Sequence, residues 1–159
     1  MNKHHSESDQ TTKNRLRLIK LVKSRLSSSG KAKSADESGN VIYVDCDIFS
    51  LEMLNDFLTL SLSDFNQTPY FTFFGFDDAD FVNIFAEVLV EGAVLQALAS
   101  KALIERGREF QISDCGINFE PPSVSELMQT QYSVLIGHHF EKLKNIKNDI
   151  KAFGPKKKK

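Results

Sequence analysis

Residues 112–126, ISDCGINFEPPSVSE, decide how this chain of 159 residues is organised. Apolar residues alternate with polar ones on both sides of a glycine-containing turn, which predicts two short strands. A three-residue hairpin loop needs a positive φ that glycine adopts easily, and the two prolines that follow block further strand pairing. The sequence therefore predicts a small β-hairpin over about 110–120, formed by Phe110, Ile112, Asp114, Gly116, Ile117 and Phe119.

A two-stranded hairpin is marginally stable by itself in water, so it needs partners. Three arrangements are open from the sequence. The hairpin can lie on its own helices, pair with a short strand that we predict at about 41–46, or join a sheet built from several copies of the chain. The third arrangement would make the hairpin a contact between subunits.

The rest of the sequence is dominated by helical periodicity, so we expect a mainly α protein built as a bundle of long helices. One helix is marked by apolar residues spaced three or four apart, at Leu51, Leu54, Leu58, Leu62 and Phe65. Asp77 or Asp78 can cap a helix of residues 79–108. Ser123 and Glu126 have the spacing of a capping box for a last helix that runs to about Phe153.

An aromatic segment interrupts the helices at NQTPYFTFFGF, residues 66–76. Pro69 disfavours helix at Thr68 and favours extended backbone there. Four phenylalanines in this segment are too many to leave in water. We expect them to plug one end of the bundle or to form an interface.

The net charge of −1 conceals a strong partition along the chain. Residues 1–33 carry +7, residues 34–140 carry −14, and residues 141–159 carry +6. We expect a disordered tail over 1–12, a basic helical arm over 13–29, a linker over 30–40, a helical body with the hairpin over 41–153, and a basic tail over 154–159.

Basic ends around an acidic middle suit contact with a polyanion, head-to-tail contact with an acidic neighbour, or plain solvation. Binding of the basic helix to a membrane surface is a further alternative. The candidate contacts to DNA or to an acidic partner are Arg15, Arg17, Lys20, Lys156, Lys157, Lys158 and Lys159. The apolar side of the basic helix, with Leu18, Val22 and Leu26, is a candidate subunit interface.

Catalytic and ligand-binding motifs are missing from the sequence, so we expect no enzyme activity, metal or cofactor. His138 and His139 diverge by about 100° on a helix and cannot hold one metal from one face. Cys46 and Cys115 are isolated and are expected to stay reduced. No uninterrupted apolar run reaches the roughly 18–20 residues of a membrane span. Arg106 and Arg108 either pair locally with Glu105 and Glu109 or contact another subunit.

Several stretches together resemble a family of virion structural proteins of tailed bacteriophages. The resemblance covers roughly residues 41–151, and its central motif, ALIERGREFQISDCGINFEPPSVS, is the most specific part. Cys115 stands where the family pattern usually has Asn. The matching positions are Asn66, Pro69, Thr72, Ala97, Glu105, Arg106, Gly107, Arg108, Phe110, Asp114, Gly116, Pro121, Pro122, Leu143, Ile146 and Lys147.

The resemblance implies a non-enzymatic building block of the virion, assembled in the bacterial cytoplasm. We expect an adaptor in the neck between portal and tail proteins, in a homo-oligomeric ring of about 12 copies, with possible contact to packaged DNA and none to a membrane. The resemblance carries over no residue roles; the candidate interface residues Arg106, Arg108 and the hairpin come from the sequence pattern itself. Rival hypotheses are another virion ring or baseplate subunit, a small non-specific DNA-binding accessory protein that uses the basic ends, and, last, an enzyme.

Overall fold

The computed structural model describes residues 8–27, 31–35, 38–45, 49–108, 112–114, 117–119 and 124–153. Helices dominate this part of the chain, so the mainly α class is confirmed. In chain order the elements are α1 (Asp9–Ser27), β1 (Lys31–Ala35), β2 (Val41–Asp45), α2 (Leu51–Gln67), α3 (Ala79–Arg108), β3 (Ile112–Asp114), β4 (Ile117–Phe119) and α4 (Val124–Phe153).

The helix boundaries follow from local chemistry. Ser50 precedes α2, and its Oγ accepts a hydrogen bond from the backbone N–H of Met53 at 3.2 Å. The helix ends before Thr68, which is extended at φ −102° and ψ 132°, as expected for the residue before Pro69. Asp78 caps α3, because its Oδ1 accepts from the N–H of Phe81 at 2.9 Å. The capping prediction is thus confirmed for Asp78, whereas Ser123 lies outside the described residues.

The described strands form two separate antiparallel pairs. β1 pairs with β2 in the register Lys31 with Asp45 and Ala35 with Val41. β3 pairs with β4, with Ile112 opposite Phe119. The arrangement in which the 110–120 segment pairs with the strand at 41–46 is therefore wrong, since β2 pairs with β1. From the sequence we predicted a linker over 30–40, whereas Lys31–Ala35 form β1. The polar KAKSA segment has no apolar alternation, so the sequence did not indicate a strand there.

The chain divides into two compact units between Val94 and Leu95, within α3. From the sequence we predicted one helical body over 41–153 with no boundary there. Unit 1 contains α1, β1, β2, α2 and the first half of α3. Unit 2 contains the second half of α3, β3, β4 and α4.

The core of unit 1 is formed by apolar side chains of α1, α2 and the first half of α3. The α2 side of this core follows the predicted spacing at Leu54, Leu58 and Phe65, whereas Leu51 is exposed. Ser61 is buried on the same face, and its Oγ donates to the carbonyl of Leu89 at 2.8 Å, which links α2 to α3. The buried apolar residues of this unit are Leu18, Ile19, Val22, Phe49, Leu54, Phe57, Leu58, Phe65, Phe76, Phe81, Val82, Val88, Leu89, Val90 and Ala93.

In unit 2 three buried residues in the second half of α4 follow one another at four-residue spacing. His139, Leu143 and Lys147 are almost completely inaccessible to solvent. Leu127 and Leu135, in the first half of the same helix, are exposed. Val124 and Val134 are also exposed, so much of the first half of α4 offers apolar surface to solvent.

Candidate interaction surfaces

The aromatic segment is held to the end of α2 by the side chain of its first residue, Asn66. Oδ1 of Asn66 accepts from the backbone N–H of Phe74 at 3.1 Å and from Oγ1 of Thr72 at 3.0 Å. Nδ2 of Asn66 donates to the carbonyl of Phe74 at 2.9 Å. The Asn66 carbonyl also accepts from the N–H of Thr72 at 2.8 Å. These hydrogen bonds satisfy backbone groups of Thr72 and Phe74 that a neighbouring strand would satisfy in a sheet. The segment therefore has a defined backbone conformation without belonging to a sheet.

The phenylalanines of this segment divide into two that are packed and two that project. Phe74 stacks on Phe81 at a centroid distance of 4.5 Å and an interplanar angle of 3°. Phe76 is buried. Phe71 and Phe73, however, are 77% and 98% exposed. Two rings therefore close the core of unit 1, as expected from the sequence. The other two are left in solvent, and their place in an interface stays a prediction.

Phe65 is the centre of the packed aromatic cluster. Its ring lies edge-on to Phe81 at 5.2 Å and to Phe74 at 5.9 Å, and it is tilted against Phe85 at 5.2 Å. Such contacts add about 0.5–1.5 kcal/mol per pair to the effect of burial. The cluster fixes the base of the aromatic segment, and the exposed rings are consequently presented from a rigid support.

Helix α1 is packed into unit 1, which corrects the prediction of a separate basic arm. Leu18 and Val22 are completely buried, and Leu26 is half-buried. Returning a buried Leu or Val to solvent costs about 1.5–3 kcal/mol. Leu18 and Val22 therefore stabilise the unit itself, and their assignment to a subunit interface is wrong. The sequence could not distinguish packing in the core from contact with another subunit, because both require the same apolar stripe on a helix.

The arginines of α1 are also engaged within unit 1. The Arg15 guanidinium lies 4.6 Å from the centre of the Phe76 ring and donates to Oδ1 of Asn55 at 2.8 Å. Arg15 is half-buried, so its proposed role as a DNA contact is corrected. Arg17 is exposed and donates to Oδ1 of Asn83. Lys20 is exposed, whereas Lys156–Lys159 lie outside the described residues.

Unit 2 contains a surface groove between the second half of α3 and the start of α4. Its volume is about 210 Å³, and its surface is mostly apolar. Arg106 lies in this groove with its side chain exposed. The sequence singled out Arg106 but gave no signal for the groove, whose lining comes from two helices separated by the β3–β4 segment. The lining residues are Ala99, Ala102, Leu103, Arg106, Ser125, Gln129 and Tyr132.

The remaining candidate interface residues surround the β3–β4 pair. Arg108 is the last residue of α3, and Ile112, Asp114, Ile117 and Phe119 lie in the two strands. Phe110 and Gly116 lie outside the described residues. The structure thus places Arg106 in a groove, and within the described residues β3 and β4 pair with each other.

Lys147 is a buried residue that the sequence named only as a position of the family pattern, with no prediction of burial. It is completely inaccessible to solvent, and burial lowers the pKa of its amine below the usual 10.5, because desolvation disfavours the charged form. The sequence signal for its burial is its spacing, eight residues after His139 and four after Leu143, because residues four apart lie on one face of a helix. A lysine at such a position is normally read as solvated, and its burial depends on tertiary packing.

The described part of the chain contains no cluster of three or more His, Cys, Asp or Glu side chains that could hold a metal.

Residues Ala79–Arg106 of α3 are long and apolar enough to cross a membrane, with a mean hydropathy of 1.6. Half of the apolar 18-residue window that meets this test is buried. Core helices of soluble proteins pass the same test, so length and hydropathy alone do not indicate a membrane helix here.

Comparison with family models, curated proteins and solved structures finds no match.

Proposed function

We propose that this protein is a structural subunit whose copies bind one another within a tailed-bacteriophage virion. The observation that carries the proposal is the exposure of Phe73 and Phe71, at 98% and 77%, on a segment held by Asn66. A single exposed apolar residue is ordinary on a protein surface. Two neighbouring phenyl rings on a defined backbone instead favour a contact with another macromolecule.

Unit 2 supports the same proposal through a second set of exposed apolar side chains. Leu103 is 71% exposed and Leu127 is 63% exposed, on the two helices that form the groove. The exposed large apolar residues of this unit are Leu103, Ile104, Val124, Leu127, Val134, Leu135 and Phe140.

The β-hairpin is the third element of the proposed assembly. β3 and β4 have only three residues each, and they pair only with each other within the described residues. Pairs of this size gain stability when another strand or a helix covers them. Strand addition by a neighbouring copy would use main-chain hydrogen bonds across the interface. In the proposed assembly, the helices supply the body of each subunit and the hairpin contributes to its contacts.

The placement in the neck of the virion rests on the sequence resemblance. A ring of about 12 copies, bound to portal on one side and to tail or neck proteins on the other, would be built from heterologous contacts that close. Another ring or a baseplate position in the same particle is the nearest alternative. None of these placements requires a catalytic site.

The composition of purified virions tests the proposal directly. Particles of the phage that encodes the chain would be purified by density gradient, and the chain quantified by mass spectrometry against the portal protein. We expect the chain in near-stoichiometric ratio to portal. Complete absence from infectious particles would refute the virion assignment. Sedimentation of the isolated protein separately tests whether copies associate without a portal template.

A DNA-binding accessory protein is the second candidate function, and the exposed cations of α1 favour it. Lys13, Arg17 and Lys20 are exposed on the side of the helix away from Leu18 and Val22. Deleting residues 1–33 would be a poor test, because the buried half of α1 belongs to the core of unit 1. Charge reversal by Lys13→Glu with Lys20→Glu keeps that core intact. A DNA affinity that falls steeply with salt and is lost in this variant would support DNA binding.

A further inference from the structure

The projecting phenylalanines and the groove of unit 2 have matching properties. Phe73 and Phe71 lie on unit 1 and expose their rings to solvent. The groove presents mainly apolar surface from Ala99, Ala102 and Leu103. Each feature exposes apolar area that would be removed from water if the two met. Removal of this apolar area from water favours association.

The size of the groove suits a phenyl ring. An apolar cavity of about 150 Å³ is sufficient to hold benzene in another protein, and the groove has about 210 Å³. Tyr132 lines the groove and offers an aromatic neighbour to an inserted ring. Ser125 and Gln129 add polar groups at the same place, which could bind the backbone that carries the ring.

The charges beside the two features are opposite. Arg106 lies in the groove with an exposed guanidinium. Asp77 and Asp80 follow the aromatic segment along the chain, and both are exposed. A carboxylate that accompanies the phenyl ring would therefore meet a cation. Charge complementarity of this kind fixes the orientation of a contact and disfavours wrong partners.

From these observations we infer that Phe73 of one copy inserts into the groove formed by α3 and α4 of the next copy. Phe71 covers the rim of the groove, and Arg106 pairs with the acidic residues that follow the aromatic segment. The contact is heterologous, because each copy gives its aromatic segment to one neighbour and its groove to the other. The inference rests on the proposed function and specifies which surfaces join its subunits.

Cysteine crosslinking tests this contact. One variant carries Phe71→Cys, at the rim of the proposed contact, and keeps Phe73; a second variant carries Leu103→Cys. Both carry Cys46→Ser and Cys115→Ser, and one of the two carries a tag that separates them on a gel. An equimolar mixture is oxidised at high protein concentration. We expect mixed disulfide dimers to exceed either homodimer, and Arg106→Glu in the Leu103→Cys variant to reduce them.

The matched control replaces Phe71→Cys by Ile84→Cys and also keeps Phe73, because Ile84 is an exposed apolar residue of unit 1, at 72%. Mixed disulfides no more abundant than in this control would overturn the inference. If sedimentation still shows association in that case, the copies use another surface and the proposed function stands. Absence of the chain from virions, by contrast, would refute the proposed function whatever the crosslinks show.

A second measurement separates binding from folding. Phe73→Ser removes a ring that is almost wholly in solvent, so its thermal unfolding should match that of the unchanged protein. Truncation of an aromatic anchor at the centre of an interface should nevertheless weaken self-association by about 10- to 100-fold. An association constant equal to that of the Ile84→Ser control would contradict the docking of Phe73.

Discussion

Replacing Asn66 by alanine tests how the aromatic segment is held. The side chain makes three hydrogen bonds, two of them to the N–H and the carbonyl of Phe74 and one to Thr72. Alanine removes all three and leaves the backbone groups of Phe74 without these partners. The bond between the Asn66 carbonyl and the N–H of Thr72 is independent of the side chain.

The magnitude follows from the number of bonds and from their exposure. A hydrogen bond contributes about 0.5–1.5 kcal/mol net, so three give an upper range of about 1.5–4.5 kcal/mol. All three are only partly buried, and water can replace some of them. We therefore expect Asn66→Ala to lower the free energy of unfolding by about 2–3 kcal/mol.

Urea unfolding followed by circular dichroism measures this change. With m unchanged, the transition midpoint should fall by about 1–2 M. Gln67→Ala is the matched control, because Gln67 is the next residue and makes one exposed hydrogen bond to Ser63. Its effect should stay within about 0.5 kcal/mol. An Asn66→Ala effect as small as that of the control would refute the proposed support of the segment.

Three further changes probe the core, a helix cap and the buried lysine. Phe65→Ala removes the centre of the aromatic cluster and should cost about 3–5 kcal/mol in urea unfolding, against less than about 1.5 for Phe65→Leu. Asp78→Ala should cost about 1 kcal/mol, with Asp78→Asn close to the unchanged protein, and equal losses in both would contradict the cap. Because the pKa of Lys147 is lowered in the folded state, the unfolded chain binds more protons between that pKa and 10.5, so stability should rise with pH through this window. Lys147→Met should abolish that part of the rise, and an unchanged pH dependence in the variant would contradict the lowered pKa.

The sequence predicted those features of the fold that depend on neighbouring residues. The cap at Asp78, the end of α2 before Pro69 and the buried positions Leu54 and Leu58 all follow from local chemistry. Each of these signals lies within a few residues of the feature that it predicts. Local patterns were therefore sufficient for the end of α2 and the start of α3. They were wrong for the start of α1, which begins at Asp9, inside the tail predicted to be disordered.

The features that the sequence did not predict depend on tertiary contacts. Phe73 and Phe74 are adjacent and chemically identical, yet one projects and the other stacks on Phe81. Their difference follows from the bonds that Asn66 makes to Phe74. Lys147 is buried although its residue type normally favours solvent. The groove of unit 2 requires two helices to meet, so its lining has no continuous signature in the chain.

The distribution of charge along the chain did not predict how α1 packs. Nine Lys and Arg residues in 1–33 predicted a separate basic arm. Arg15 instead packs over Phe76, and Leu18 and Val22 are completely buried in the core of unit 1. A basic helix can use one side for packing and another for solvent, and only the structure shows which cations remain exposed.

The location of the chain in intact particles tests the central claim most directly. A cryo-electron microscopy reconstruction of the purified virion would show whether adjacent copies meet through Phe73 and the groove of unit 2. The account predicts a ring of this chain between portal and tail, with each aromatic segment seated on its neighbour. A virion that lacks the chain would contradict it.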